Sequence, residues 1–372
     1  MEHLRPTSAT IDLAQLGENL RLIRKQVPAS TKILAAVKGD AYGHGAIRCA
    51  RALAEAGADW FGVALVEEGR ALREGGITQP ILCMGGAGPR GALAAIKHSL
   101  TPLVSHLDEA LALNAAAAEA GTTIAIHAKV DTGMGRLGVP LHHWAHFLDR
   151  MADLARVNIT GIASHFAQSE SMNGKVQTRE QLRRFHDAVA LARERGVDPD
   201  LTHIANSGAI LQHREAALDM VRPGLLLYGY DPQEREPRLG VKPVMRVETQ
   251  VLVVRDLPAG VGLSYGGEFV TQRPSRIATL PVGYADGYPR ALSGKAEVLI
   301  KGHRAPVRGR VCMDMCMVDL TDIPVDVRPG DSVTLLGQMG EDAIDAWRLA
   351  DWAETIPYEI LTGFSERIPR VS

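Results

Sequence analysis

At 372 residues and 46% hydrophobic, the chain is long and apolar enough for a large core and more than one domain. A formal net charge of −2 leaves no electrostatic footprint for nucleic acid or an acidic membrane surface. The opening MEHLRPTSATIDLAQ has no basic segment leading into an apolar one, so no signal peptide is expected, and no apolar run nears the ~18 residues of a membrane span. Four cysteines, Cys49, Cys83, Cys312 and Cys316, form no C-x-x-C pair and suit a reduced cytoplasm; no metal site is expected.

In chain order, short apolar runs that suit buried strands recur: KILAAVK (32–38), WFGVAL (60–65), PILCM (80–84), LTPLV (100–104), TIAIHAKV (123–130), VNITGIASH (157–165), LTHIAN (201–206) and DMVRPG (219–224). Buried parallel strands read as continuous apolar runs, not as alternation. Between most of them lie helical patterns, such as HLDEALALNAAAAEAG and QLRRFHDAVALARERG, each closed by a glycine. Eight such strands with intervening helices predict an α/β fold, a (β/α)8 TIM-like barrel over 1–240, with a doubly wound sheet as the alternative. From 241 the pattern changes. VMRVETQVLVVRDL, SRIATLPVGYA, AEVLIKGHRAPVRGRV and DSVTLLG are Val-rich, partly alternating and separated by Gly and Pro turns, which predicts a mostly β domain over 241–372. The polar segment DPQEREPRLG (231–240), with two prolines, reads as a linker.

Lys38 closes the first predicted barrel strand, and barrel active sites sit at strand C-terminal ends. A lysine there can form a Schiff base with a carbonyl cofactor, or be an ordinary surface residue. Tyr42, four residues on in a Gly-rich turn, can donate to a phosphate. DTGMGRLG (131–138) contains a literal G-x-G-x-x-G. A dinucleotide site needs an acid after the next strand, where SHFAQ stands instead, and it leaves Arg136 unexplained. Ser207 reads as an N-cap of NSGAILQH or as a phosphate ligand, and a helix N-terminus allows both. Taken alone, His165 suits a satisfied core histidine, and Tyr265 a structural residue of a Gly-rich hairpin.

VKGDAYGHG closely resembles the pyridoxal-phosphate attachment segment of bacterial alanine racemases. KVDTGMGRLG, SHFAQSE, ANSGA, VRPGLLLYG, GLSYGG, PVGYADGYPR, GRVCMDM and PYEILTGFSERIPR resemble further family segments in the family's order, from about residue 8 to the C-terminus. The resemblance implies that Lys38 holds pyridoxal 5'-phosphate, and that Tyr42, Ser207, the backbone of Gly224 and Leu225, and Tyr358 hold its phosphate. The family commonly has Phe where Pro223 stands, and proline supplies no N–H to that rim. Arg222 would face the pyridine nitrogen, with His165 beside it. Two cations ~4 Å apart repel by ~4 kcal/mol at an effective dielectric of ~20, so the ring would stay unprotonated. Arg136 would lie by the phenolic oxygen and the substrate carboxylate, a task suited to a guanidinium fork. Lys129 matches a lysine that is carbamylated in many members; unmodified, it could pair with Asp131.

Racemisation removes a proton from one face of the α-carbon and returns one to the other, which calls for two bases. The resemblance gives these roles to Lys38 and Tyr265, with Tyr265 reaching the site of the other subunit of a homodimer. It gives substrate-carboxylate binding to the N–H of Met313, and an entry corridor to Asp314, Tyr284 and Arg290. It therefore implies a cytoplasmic homodimer interconverting L- and D-alanine and supplying D-alanine for peptidoglycan. A serine or broad-specificity racemase is the near alternative, because one hydroxyl discriminates poorly in a permissive pocket. A pyridoxal-phosphate decarboxylase and a cofactor carrier are more remote.

Overall fold

The computed structural model describes residues 4–372. The chain divides into two compact units. One is Ala14–Ala41 with Ala46–Lys242; the other joins the N-terminal segment through Leu13 to Tyr42–Gly45 and Pro243–Ser372.

The first unit is the expected barrel. Its strands are Lys32–Ala36, Trp60–Val63, Ile81–Cys83, Thr101–Val104, Ile124–Asp131, Val157–Ala163, Leu201–His203 and Met220–Val221. They pair in parallel and in chain order, and the eighth pairs with the first, with Met220 opposite Lys32. The seventh and eighth are joined by one bridge, Asn206 with Arg222, where the Arg222 N–H donates to the Ala205 carbonyl at 2.9 Å. The apolar runs have no alternation because both faces are covered: Ile33, Leu34, Ala35 and Ala36 are all buried. Leu34, Leu82, Leu103, Ala163 and Met220 fill the interior as one cluster. Each fully buried leucine contributes roughly 1.5–3 kcal/mol. The long helix Lys175–Glu194 buries Leu182, Phe185, Val189 and Ala192, a stripe at helical spacing. It ends just before Gly196, whose φ of +79° is a left-handed value natural to glycine.

Polar side chains also enter the barrel strands. His127 on the fifth strand faces Gly161 on the sixth, beside a register shift. A Cβ at Gly161 would stand 2.5 Å from the imidazole, so the glycine makes room for the ring. The segment 231–240, expected as a linker, is a folded loop. Asp231 is fully buried, accepts the Gln233 and Glu234 N–H groups, and pairs with Arg238 at 2.9 Å.

The second unit is mostly β, as expected. Its main sheet runs His303–Pro306, Glu297–Ile300, Ser332–Met339, Met245–Gln250, Ser8–Ile11 and Arg370–Val371. Ser8–Ile11 is antiparallel to Met245–Gln250 and parallel to Arg370–Val371. A three-stranded sheet joins Val253–Leu257, Ser275–Leu280 and Cys316–Asp319, and a small hairpin pairs Gly262–Leu263 with Phe269–Val270. Two short helices, Ala346–Ala353 and Pro357–Gly363, are additions that the sequence pattern did not announce. Among the described residues no helix is long and apolar enough to cross a membrane.

Candidate active site

Lys38 begins a turn of unusual hand. Gly39, Asp40, Ala41, Tyr42 and Gly43 have φ of 61°, 52°, 55°, 54° and 82°. A left-handed conformation costs a non-glycine residue roughly 1–2 kcal/mol. Two carboxylates hold the turn. Glu68 accepts the Gly39 N–H at 2.6 Å with one oxygen and the Ala64 and Leu65 N–H groups with the other. Asp40 accepts the Ala46 N–H at 2.6 Å. Burial, then the charge of Arg136, then that of Arg222, lower the pKa of Lys38 against the opposing pull of Glu68. An amine that holds its proton loosely is both a better nucleophile and a usable base.

Lys129, buried near the end of the fifth strand, is pushed down to about 8 by burial and by Arg222, Arg136 and Lys38, with Asp131 opposing. Asp131 organises the loop that follows, accepting the N–H groups of Gly133, Met134 and Gly135 at 2.8–2.9 Å. Gly138, at φ +123°, closes it; a Cβ there would lie 2.8 Å from the Asp131 nitrogen. The glycines of DTGMGRLG thus serve a tight carboxylate-centred loop that leaves Arg136 exposed.

Arg222 anchors the most constrained part of the site. Its guanidinium donates to His203 Nδ1 at 2.6 Å, to the Ser164 and Ile204 carbonyls at 2.8 and 3.1 Å, and to His165 Nδ1 at 3.1 Å. Arginine has donors only, so both imidazoles accept through Nδ1 and carry their proton on Nε2. The His203 Nε2–H then donates to His127 Nδ1, 2.7 Å away, which puts the His127 proton on its own Nε2. That buried nitrogen has no hydrogen-bond partner among the described residues. Burial first and Arg222 second hold all three imidazoles unprotonated, His127 at about 3 and the other two well below the usual range. Burial lowers Arg222 itself to about 10. Gln181 fixes the neighbouring loop, accepting the Ala167 N–H and donating to the His165 carbonyl.

Between the seventh and eighth strands, Ser207 Oγ accepts the Gly224 N–H at 2.9 Å. Ser207 is not the N-cap. Asn206 is, its side chain accepting the Ala209 N–H at 3.0 Å, and Ser207 is the first helical residue. Leu225 opens a short 3-10 turn through Tyr228. In the second unit, the Tyr42 and Tyr358 rings lie 6.0 Å apart, and burial raises the Tyr42 phenol to about 12.

The other expected residues of the second unit face outward. Tyr265 is 73% exposed, Met313 53% and Tyr284 43%. Arg290 is exposed, and Asp314 pairs with Arg367 at 2.7 Å. Met313 and Tyr284 share a backbone junction: the Tyr284 N–H donates to the Cys312 carbonyl and the Ala285 N–H to the Met313 carbonyl, both at 3.0 Å.

The structure therefore gathers Lys38, Lys129, Arg136, His165, Ser207 and Arg222 in one unit, and Tyr42, Tyr265, Tyr284, Arg290, Met313, Asp314 and Tyr358 in the other. Sequence reasoning missed His127, His203, Glu68 and Gln181. A histidine inside an apolar strand pattern, as in TIAIHAKV and LTHIAN, was the available signal for the first two. Among the described residues no group of three His, Cys, Asp or Glu could hold a metal ion.

Two family profiles match the chain: alanine racemase, N-terminal domain, over residues 11–232, and alanine racemase, C-terminal domain, over 244–372. An alanine racemase of Halothermothrix orenii is 43% identical over 367 residues, covering 98% of this chain and 96% of that protein. The alanine racemase of D-cycloserine-producing Streptomyces lavendulae superposes with a TM-score of 0.93 at 38% identity, over 100% of this chain and 97% of that one. The alanine racemase of Bartonella henselae with covalently bound pyridoxal phosphate superposes at 0.89 with 32% identity, over 98% and 99% of the two chains.

Proposed function

We propose, for a chain that belongs to the alanine racemase family, that Lys38 and Tyr265 are the two bases of its reaction. The protein is a pyridoxal-phosphate-dependent isomerase that interconverts L- and D-alanine. The observation that carries the assignment of its residues is the cationic barrel end, where Arg136 and Arg222 lower the proton affinity of Lys38 and Lys129 and Arg222 is held by carbonyls and unprotonated imidazoles.

These residues fit the cofactor. Lys38 offers an amine for its aldehyde. Ser207 offers a hydroxyl and Leu225 a backbone N–H for a phosphate, and the Gly224 N–H, which Ser207 Oγ accepts in the structure, would turn to it, the usual set where no fixed cation serves. The cations call for an anionic occupant. We assign the phosphate also to Tyr42 and Tyr358, the pyridine nitrogen to Arg222 with His165 beside it, and the phenolic oxygen and substrate carboxylate to Arg136. Once bound, pyridoxal phosphate makes the α-proton of the amino acid acidic. Lys38 Nζ takes or gives that proton on one face, and Tyr265 Oη does so on the other. Arg222, by its charge, keeps a proton off the nitrogen it faces. The Met313 N–H holds the substrate carboxylate, and Asp314, Tyr284 and Arg290 line the approach.

Exposure of Tyr265, Met313 and Tyr284 in the single chain supports a homodimer in which each copy lends these groups to its partner. Lys129, with a pKa of about 8, has free amine at neutral pH for carbamylation by carbon dioxide, which would put an anion beside Arg136. Native mass spectra with and without bicarbonate test that step by a gain of one carbon dioxide per chain, lost in Lys129→Met. We place the enzyme in the cytoplasm, supplying D-alanine for peptidoglycan.

The test is optical rotation of L-alanine and, separately, L-serine with the purified holoenzyme. Alanine should lose rotation much faster than serine. Equal rates would make this a broad-specificity racemase, and no change in either would remove the proposed roles of Lys38 and Tyr265.

A further inference from the structure

Tyr265 follows a residue in a conformation that serine rarely accepts. Ser264 has φ +64° and ψ −174°, a region occupied almost only by glycine. Its hydroxyl shows what holds it there: Oγ donates to the Arg310 carbonyl at 2.8 Å and lies 3.3 Å from Cys312 Sγ. The opposing segment is shaped for this approach. A Cβ at Gly309 would stand 2.8 Å from the Leu263 carbonyl oxygen and 3.0 Å from Ser264 Cβ. Arg310 grips the other flank as well. Its guanidinium pairs with Glu268, and its nearest atom would be 3.7 Å from a Cβ at Gly266. Tyr265 is thus bracketed on both sides by Arg310, in the segment that runs on into Cys312 and Met313.

We propose that Ser264 is a positioning residue that locks Tyr265 to the segment Gly309–Met313, so that the Tyr265 hydroxyl and the Met313 N–H keep a fixed separation. The strained backbone aims the tyrosine, and the Ser264 hydroxyl holds the strain. This rests on the reading of Tyr265 as a base and Met313 as the carboxylate donor.

Ser264→Gly and Ser264→Ala separate the two parts of the device. Glycine accepts the backbone and loses the anchor; alanine keeps the strain and loses the anchor. The glycine holoenzyme should melt at or above the wild-type temperature and the alanine holoenzyme below it. Both should racemise alanine roughly ten- to a hundredfold more slowly, as expected for a displaced reacting group. A second readout excludes a merely structural effect. In D2O, Lys38 still removes the α-hydrogen of one enantiomer, exchanges it with solvent and returns a deuteron to the same face. The ratio of exchange with retention to inversion should therefore rise by the same factor for that enantiomer and not for the other. A general loss of folded protein would lower exchange and inversion together. Wild-type inversion and an unchanged ratio in Ser264→Gly would overturn the proposal, as would equal melting temperatures for the two variants. Should Ser264→Ala not fold, Ser264→Gly alone decides through the ratio. Tyr265→Phe is measured alongside. If it inverts alanine at the wild-type rate, the base assignment has failed; if it is crippled while Ser264→Gly is not, only the role of Ser264 has.

Discussion

The barrel end and the Tyr265 hairpin are built in opposite ways. At the barrel end the polar groups bond to one another inside the unit, with His127 Nε2 left over at the end of the chain: Arg222 is buried and holds His165 and His203, and His203 holds His127. On the hairpin, the backbone is fixed through Ser264 and Arg310, yet Tyr265 projects with 73% of its surface exposed. One region turns its polar groups inward; the other is rigid but presents its chemistry outward. Rigid exposure suits a group meant for another surface, whereas a buried network suits tuning the charge of a group held in place.

The largest effect should come from the inward-facing region. On the proposed assignment, Lys38→Ala should lower racemisation by roughly 10⁴-fold or more, because one side chain would supply both the cofactor's attachment and one proton-transfer group. Trapping of the cofactor on the chain by borohydride, read by mass, should vanish with it. Retained trapping would place the attachment on another lysine.

Tyr265→Phe should cost roughly 10²–10⁴-fold, the usual worth of a positioned acid–base group. The contrast between the regions is sharpened by mixing. If each copy lends Tyr265 to its partner, Lys38→Ala and Tyr265→Phe chains unfolded and refolded together should regain activity. About half the dimers would be mixed, each with one intact site, giving about a quarter of the wild-type rate. No recovery would mean that both groups act within one chain.

The sequence told these regions apart unevenly, for physical reasons. Lys38 was legible because a strand end followed by a Gly-rich turn is a local pattern, and the eight apolar runs were legible because burial on both faces removes alternation. The left-handed turn was half visible: its glycines stood in the sequence, but nothing marked Asp40, Ala41 and Tyr42 as sharing their conformation. Ser207 looked like a cap because serine and asparagine are both good caps and stand side by side; Asn206 takes the role, which frees the serine hydroxyl for Gly224. Ser8–Ile11 gave no hint of its partners, since its pairing with residues 245–248 is set by distant contacts. The loop 231–240 read as a linker because the Asp231–Arg238 closure depends on burial, not composition.

Acid should strike the barrel end and spare the hairpin. His127, His165 and His203 are held unprotonated in the folded protein, while an unfolded histidine titrates near ~6.5. Depressed folded values mean that stability is fully present above that pH and is lost as pH falls toward the folded values, about 3 for His127. Each imidazole adds up to ~1.4 kcal/mol per pH unit in that window, so three add up to ~4 kcal/mol per unit. Urea unfolding of the cofactor-free protein between pH 7 and 5 should show this slope, and His127→Leu should remove about a third of it. Asp314→Asn, which alters only an exposed pair, should leave it unchanged. A slope no steeper than one histidine gives would mean that the network takes up protons while folded.

The smallest effect isolates a single cation. Lys129 is held at about 8, against an ordinary lysine near ~10.4, chiefly by burial and then by Arg222 and Arg136. Below about 8 the folded protein must keep an ammonium among other cations, and the full penalty is present. As pH rises from there toward ~10.4, the folded lysine is neutral while the unfolded one is still charged, so the penalty disappears. In carbon-dioxide-free buffer, Lys129→Met should therefore be more stable than wild type at pH 7 by roughly 1–3 kcal/mol, and the gap should close near pH 10. Bicarbonate should narrow the gap at pH 7, because carbamylation exchanges the cation for an anion in the same cluster. A gap that persists unchanged to pH 10 would trace the difference to packing of the methionine. No gap at pH 7 would mean that Asp131, while holding its loop, also neutralises Lys129.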